Sequence, residues 1–122
     1  VFNVHINRSP IAGTINKIVY KEGHFFNASL DKASEKNERS SIVVENQKGT
    51  EIVVVQIAGL IARRILGFVS TNQSIDQGER YGLIRFGSRV DIYLPLNSNI
   101  NCSVGDRVIA GETLLATLAE DL

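Results

Sequence analysis

The chain has 122 residues, a length that suits one domain with a single hydrophobic core. Its 13 Lys and Arg residues balance 13 Asp and Glu residues, so it lacks the overall basic field that holds nucleic acid, and nucleic-acid binding is disfavoured. The single cysteine, Cys102, excludes an internal disulfide and a cysteine-rich metal site. We expect it to be a small, buried or half-buried residue, and we predict no metal site.

The longest apolar stretch covers residues 52–62. It is interrupted by Gln56, it stops at Arg63 and Arg64, and it falls well short of the ~20 residues that a membrane-spanning helix needs. The sequence also shows no signal peptide. Residues 60–66 mix apolar and cationic side chains, which suits either a membrane-contacting surface patch or a buried strand or short helix that ends in solvated arginines.

Strand signals dominate the chain. Val, Ile, Thr and Tyr are frequent in four segments, several of which alternate apolar with polar residues: Ile11 to Tyr20, Ser41 to Glu45, Glu51 to Ile57 and Val90 to Leu94. The polar run 46–50 lies between two Val-rich segments and predicts a hairpin loop. Residues 29–39 are polar and charged and predict either a short exposed helix or an ordered loop. We therefore predict a mainly β fold.

Two segments, residues 23–28 and 105–110, share the spacing Gly-x-x-apolar-x-Ala beside strand-like sequence. This resembles the turn of a barrel-sandwich hybrid, the architecture of biotinyl and lipoyl carrier domains. We predict a compact β-sandwich or barrel-sandwich-hybrid-like domain with one short helix or ordered loop. Those carriers display a lysine in a tight hairpin, commonly beside methionine, and this chain has no methionine. A non-catalytic binding module of this architecture is an alternative function.

The dipeptide Gly87-Ser88 is the most informative feature of the sequence. A serine that directly follows glycine can attack the preceding carbonyl, because glycine has no Cβ to block the approach and tolerates strained backbone angles. Such an attack would cut the chain at this bond. Standing alone, a Gly-Ser pair more often marks a bulge or a turn.

Four separated motifs give this dipeptide a context. In chain order they are FNVHINRSP at residues 2–10, DKAS with NER at residues 31–39, VQIAGLIARR at residues 55–64 and FGSR at residues 86–89. With these motifs in this order, the sequence resembles the short form of phosphatidylserine decarboxylase, a pyruvoyl-dependent lyase, from Phe2 to about Ala116.

The resemblance implies a proenzyme with an N-terminal, membrane-associating region and a Pro-Ala-Asp-Gly stretch whose aspartate is implicated in self-cleavage. Neither is present in this sequence, so we interpret residues 1–122 as a single catalytic domain, a fragment of a longer product. The predicted cut between Gly87 and Ser88 would divide it into residues 1–87 and residues 88–122. An uncut, inactive proenzyme fragment is the alternative.

The resemblance also implies that Ser88 becomes the cofactor. Its hydroxyl attacks the Gly87 carbonyl, the amide becomes an ester, β-elimination breaks the ester, and the resulting dehydroalanine hydrolyses to a pyruvoyl group. This group supplies the electron sink that decarboxylation of an α-amino acid requires, as pyridoxal phosphate does in other enzymes. The implied reaction converts phosphatidylserine to phosphatidylethanolamine. An ether lipid with a serine head group is a close variant of the substrate.

The residue matching the family's decarboxylation histidine is His5, and an imidazole that titrates near neutrality can return a proton to Cα. Arg8 stands where the processing histidine would be, and a guanidinium that stays protonated cannot act as a general base. The residue that activates Ser88 is thus left open. We predict that His24 is a solvated loop residue. We assign no role to the charged residues Asp31, Glu38 and Arg39.

The implied partners are phosphatidylserine, a membrane surface and a second copy of the chain in a homodimer. The expected location is the cytoplasmic side of the cell membrane, with peripheral attachment and with the acyl chains remaining largely in the bilayer. Several arginines are chemically suitable for binding the phosphate, and the sequence does not choose among them: Arg8, Arg39, Arg63, Arg64, Arg85 and Arg89.

Overall fold

The structure is a computed structural model that describes residues 4–60, 64–85 and 88–121. The chain is mainly β, with 43% strand and 6% helix, which confirms the predicted fold class. The elements, in chain order, are β1 (Val4–Arg8), β2 (Gly13–Lys21), α1 (Ala33–Lys36), β3 (Arg39–Glu45), β4 (Glu51–Ile57), β5 (Ile65–Gly67), β6 (Ser74–Ile75), β7 (Arg80–Arg85), β8 (Arg89–Tyr93), β9 (Asn99–Ile100), β10 (Ala116–Thr117) and a 3₁₀-helix (Ala119–Asp121).

The strands form three sheets in the part of the chain that the structure describes. The largest has five strands in the order β6-β2-β3-β4-β8, and it curls into a half-barrel. A second sheet has the order β1-β7-β5, and β9 pairs with β10 in a third. All the strand pairs are antiparallel, and β2 carries a bulge between Ile15 and Lys17 where it pairs with β3.

The predicted strands and the predicted hairpin are present. Strand β4 has the predicted bounds, and β2, β3 and β8 differ from the prediction by one or two residues at their ends. Between β3 and β4, the side-chain oxygen of Asn46 accepts hydrogen bonds from the backbone N–H groups of Lys48 (3.0 Å) and Thr50 (2.9 Å). Gly49 has a φ of +83°, a conformation that glycine adopts without strain. Local turn chemistry therefore fixes this hairpin.

Strand β4 is buried on both faces. On one face, Ile52 and Val54 belong to a hydrophobic cluster, and on the other, Val55 and Ile57 pack with Ala33 of α1. The members of the larger cluster come from five strands, β2, β3, β4, β6 and β7, and from the C-terminal segment: Ile15, Ile42, Val44, Ile52, Val54, Ile75, Tyr81 and Leu118. The Val-rich sequence of β4 is what a strand with two covered faces requires.

The segment 29–39 contains both of the structures that the sequence left open, a helix of one turn and an ordered loop. The residue that holds this segment in place is Asn37, which is fully buried. The Asn37 amide donates to the carbonyls of Phe26 (2.8 Å) and Ala58 (2.7 Å), and its oxygen accepts from the Phe26 N–H (3.0 Å). This side chain ties the segment to the end of β4.

The C-terminal 3₁₀-helix is tied to the β3–β4 hairpin. The carboxylate of Glu120 accepts hydrogen bonds from the Thr50 hydroxyl and the Asn46 amide. These two bonds lower the pKa of Glu120, because they stabilise its ionised form. Lys48 and Asp121 add an exposed ion pair at 3.8 Å. Glu120 and Asp121 are thereby held against the β3–β4 hairpin, which lies 70 to 74 positions earlier in the sequence.

We predict that Asn37→Ala lowers the free energy of unfolding by about 3 kcal/mol, because it leaves three backbone groups of a buried loop without their hydrogen-bond partner. Urea unfolding measures the change. The control is Asn16→Ala, which removes one exposed bond of 3.3 Å to Glu51 and should cost less than ~0.5 kcal/mol. Equal losses in the two variants would contradict the role of Asn37.

Candidate functional site

The candidate bond Gly87–Ser88 lies where the chain passes from one sheet to another. Strand β7 of the three-stranded sheet ends at Arg85, and β8 of the five-stranded sheet begins at Arg89. Gly87 lies outside the described residues, whereas Ser88 is described and half-buried. Ser88 therefore stands immediately before the first residue of β8.

Both strands that flank this link are anchored on β4. Strand β8 pairs with it directly, with Val90 opposite Gln56. Strand β7 lies close to β4 at Gly82, beside the buried side chain of Gln56. A Cβ at position 82 would lie 2.6 Å from the Gln56 Nε2 atom and 2.5 Å from the Leu66 carbonyl oxygen. Only glycine permits this approach. One strand thus positions the chain on both sides of the candidate bond.

Ser88 lines a cavity of about 270 Å³ with Asn27, Ala28, Ser29 and Arg89, which we call the Ser88 cavity. The Asn27 side-chain oxygen accepts hydrogen bonds from the Ser29 N–H (3.0 Å) and hydroxyl (2.9 Å), which closes a tight turn on one wall. Arg89 forms another wall and donates to the Ala28 carbonyl at 2.8 Å. The cavity is polar on these sides.

The backbone of His5 lies in β1, beside the end of β7. In the antiparallel register, His5 pairs with Ile84, four residues before Ser88. Arg8 lies at the other end of β1, paired with Arg80, and its guanidinium donates to the Gly78 carbonyl at 2.9 Å. Three residues along a strand span about 10 Å, so the structure separates Arg8 from the strand end that holds His5.

Other polar residues of the resemblance motifs have structural partners. Glu38 accepts a short hydrogen bond from the Tyr20 hydroxyl, and this bond, with the nearby carboxylate charge, raises the pKa of Tyr20 to about 12. Arg39 donates to the carbonyls of Glu35 and Asn37. Asp31 is exposed. Glu38 and Arg39 thus have structural partners close to this loop.

The remaining sequence predictions concern His24 and Cys102. His24 is exposed and its ring stacks on Phe26 with centroids 5.1 Å apart, as expected of a solvated loop residue. Cys102 is half-buried, as expected. In residues 4–60, 64–85 and 88–121, no group of three or more His, Cys, Asp or Glu side chains is arranged to hold a metal ion.

A larger cavity, of about 730 Å³, is a separate apolar groove, and Ser88 is not among its lining residues. Its walls come from β1, β8 and the segment 100–118. Ile6 of one sheet and Val90 of another are both among its lining residues. Cavity volume alone would therefore indicate a different site from the one at Ser88.

Sequence reasoning missed the residues that build the surroundings of Ser88. Asn37 and Arg89 act through backbone carbonyls that lie 11 to 61 positions away, which no local pattern reveals. Gln56 did leave a signal, because it is the one polar residue in the interior of an otherwise Val- and Ile-rich strand. Its side chain lies against Gly82, where the absence of a Cβ leaves room for it.

These features define a mainly β domain whose candidate site is a half-buried serine at the link between two sheets. The model of the family described as phosphatidylserine decarboxylase matches residues 1–116. The chain belongs to the phosphatidylserine decarboxylase family.

Relatives named phosphatidylserine decarboxylase proenzyme agree with this. The chain is 58% identical over 118 residues to that of Ruegeria pomeroyi, which covers 97% of this chain and 54% of the relative. It is 52% identical over 120 residues to that of Burkholderia vietnamiensis, covering 98% of this chain and 56% of the relative. The chain spans about half the length of the curated relatives it matches. No solved structure gives a significant match.

We predict that Gly82→Ala destabilises the domain by about 2 kcal/mol or more, because the new methyl group would meet the Leu66 carbonyl and Gln56. Gly67→Ala on the paired strand is the matched control, since its Cβ would meet no atom within 4 Å. Thermal unfolding of both variants tests the difference. A Gly82→Ala melt that equals the Gly67→Ala melt would show that β7 does not depend on the close approach.

Proposed function

We propose that the full-length protein converts phosphatidylserine to phosphatidylethanolamine, and that Ser88 is the precursor of a pyruvoyl group. The observation that carries the proposal is the position of Gly87-Ser88 between two strands that are both anchored on β4. Family membership and relatives named proenzymes support it. A proenzyme requires a processing site, and this bond is the one whose chemistry allows self-cleavage.

The bonds that form and break in the proposed processing belong to Ser88, Gly87 and water, and a base of the full-length protein takes the proton of the Ser88 hydroxyl. The Ser88 hydroxyl adds to the Gly87 carbonyl, and the amide nitrogen leaves as the ester forms. Loss of the Cα proton and of the Gly87 carboxylate then breaks the ester and leaves dehydroalanine at position 88. Water hydrolyses this residue with release of ammonia, so the segment 88–122 begins with a pyruvoyl group. Glycine at position 87 leaves the carbonyl open to attack.

The residues around position 88 fit such a group. It would replace a residue that is already half-buried, and the Ser88 cavity leaves space beside it for the amino-acid part of a substrate. The Asn27–Ser29 turn and Arg89 would hold it. When present, the pyruvoyl group supplies the electron sink that stabilises the carbanion left by loss of carbon dioxide.

We assign to His5 the delivery of the proton to the substrate Cα. Its strand position beside the end of β7 supports this role. We do not assign Arg8 to processing, because its guanidinium cannot accept a proton and it donates to Gly78 at the other end of β1. The base that activates Ser88 therefore has to come from another residue of the full-length protein.

The proposal includes the membrane surface as a partner, because the substrate is a phospholipid. In the described ranges, no helix is long and apolar enough to cross a membrane. The candidate patch includes Leu60 and Arg64, which are both exposed, whereas Ile61, Ala62 and Arg63 lie outside the described residues. Peripheral attachment at the cytoplasmic side of the cell membrane and a homodimer complete the proposal.

We expect Ser88→Ala in the full-length protein to give one uncut chain, no carbonyl that reacts with an amine probe, and no release of carbon dioxide from phosphatidylserine. Alanine has no β-oxygen for the acyl shift or the elimination. Ser103→Ala, an exposed serine in the same C-terminal segment, should be cut normally. Intact-mass measurement and a carbon dioxide assay test both variants. Activity in the Ser88→Ala protein would refute the pyruvoyl assignment.

We expect His5→Ala to leave cleavage largely intact and to lower kcat by roughly a hundredfold or more, the loss typical of a positioned acid-base group. Capture of the substrate amine, measured by borohydride trapping, should survive because it needs only the carbonyl. His24→Ala, at the exposed histidine, is the control and should keep its activity. If His5→Ala instead blocks cleavage while the protein stays folded, His5 serves processing and our assignment is wrong.

A further inference from the structure

The guanidinium group of Arg89 contacts three residues, Ala28, Leu30 and Asp91. Its Nη1 donates to the backbone carbonyls of Ala28 (2.8 Å) and Leu30 (3.1 Å). Its other side meets the Asp91 carboxylate, with Nε 2.9 Å from Oδ1 and Nη2 3.2 Å from Oδ2. About three quarters of each of these two charged side chains is buried.

These contacts join two parts of the candidate site. Arg89 directly follows Ser88 and is the first residue of β8, where it pairs with Ile57. Its carbonyl partners belong to the loop that forms a wall of the Ser88 cavity. Arg89 therefore holds the start of β8 in two ways. Its backbone pairs with β4, and its side chain binds the loop at Ala28 and Leu30.

The cut that we propose changes what holds residue 88. In the uncut chain, Ser88 is restrained by covalent bonds on both sides. After cleavage, residue 88 is a chain terminus, and termini fray unless other contacts hold them. The contacts of Arg89 are then the nearest restraint on the position of the reactive group.

We propose that Arg89 is a positioning residue that keeps residue 88 in the Ser88 cavity once the Gly87–Ser88 bond is broken. The inference rests on the proposed function. An arginine is needed here because its rigid fork reaches two carbonyls and a carboxylate together, which a lysine cannot do. Since Asp91 balances its charge and two backbone carbonyls occupy its Nη1, we do not assign Arg89 to the lipid phosphate.

The test compares full-length proteins carrying Arg89→Ala, Arg89→Lys and Arg39→Ala. Arg39 is the matched control, because its Nη1 also donates to two backbone carbonyls, Glu35 at 2.8 Å and Asn37 at 3.0 Å, without adjoining Ser88. We expect Arg89→Ala to be cut, with a kcat at least ~10-fold lower and a KM within ~3-fold of the wild type. Arg89→Lys should recover part of kcat, and Arg39→Ala should keep it while losing thermal stability.

Hydrogen exchange of the β8 amides adds a readout that does not depend on activity. Cut wild type and uncut Ser88→Ala should protect β8 to a similar extent, whereas cut Arg89→Ala should exchange there at least ~10-fold faster. The comparison of cut wild type with uncut Ser88→Ala tests the inference even if Arg89→Ala does not fold. Much faster exchange of the β8 amides in cut wild type than in Ser88→Ala would overturn the inference.

Two further outcomes are decisive. A cut Arg89→Ala protein with kcat within twofold of the wild type would overturn the inference and leave the proposed function intact. An Arg89→Ala protein that folds but stays uncut would place Arg89 in processing and overturn the post-cleavage role. If wild type itself is neither cut nor active, the proposed function fails, which this design separates from failure of the Arg89 inference.

Discussion

The close approach of Gln56 to Gly82 is the contact on which the arrangement of the candidate site depends. It brings β7 of one sheet against β4 of the other, and β4 also pairs with β8. The chain that leaves β7 must therefore enter β8 within residues 86–88. The position of Ser88 follows from this constraint, because both flanking strands contact the buried strand β4.

The burial of both faces of β4 explains why this strand can hold its neighbours in place. Its side chains are covered on one face by the main cluster and on the other by Ala33. Close-packed interiors transmit displacement instead of absorbing it. Asn37 adds polar restraint by joining the loop after Phe26 to the Ala58 carbonyl at the end of β4. The Ser88 cavity thus has one wall on this loop and one on β8. Both of these elements are attached to β4.

The parts of the fold that could be predicted are those that local sequence determines. The bounds of β4 and the turn at Asn46 and Gly49 follow from residue preference and turn chemistry within a few positions. The Gly-Ser pair at residue 88 could be singled out because three further motifs, spread over residues 2–64, precede it in the sequence. The pairing of β1 with β7 and the partners of Arg89 could not be predicted, because they join residues about 60 to 80 positions apart.

The Glu120 contact gives the segment after Ser88 a second attachment to the rest of the domain. The segment meets residues 4–60 through β8 on β4 and, near its other end, through Glu120 on the β3–β4 hairpin. When two contacts belong to one chain, opening of either leaves the other in place, so the loosened end rebinds at a high effective concentration. A cleaved domain built in this way would behave as a bivalent complex, in which the two pieces separate only when both ends are open at once.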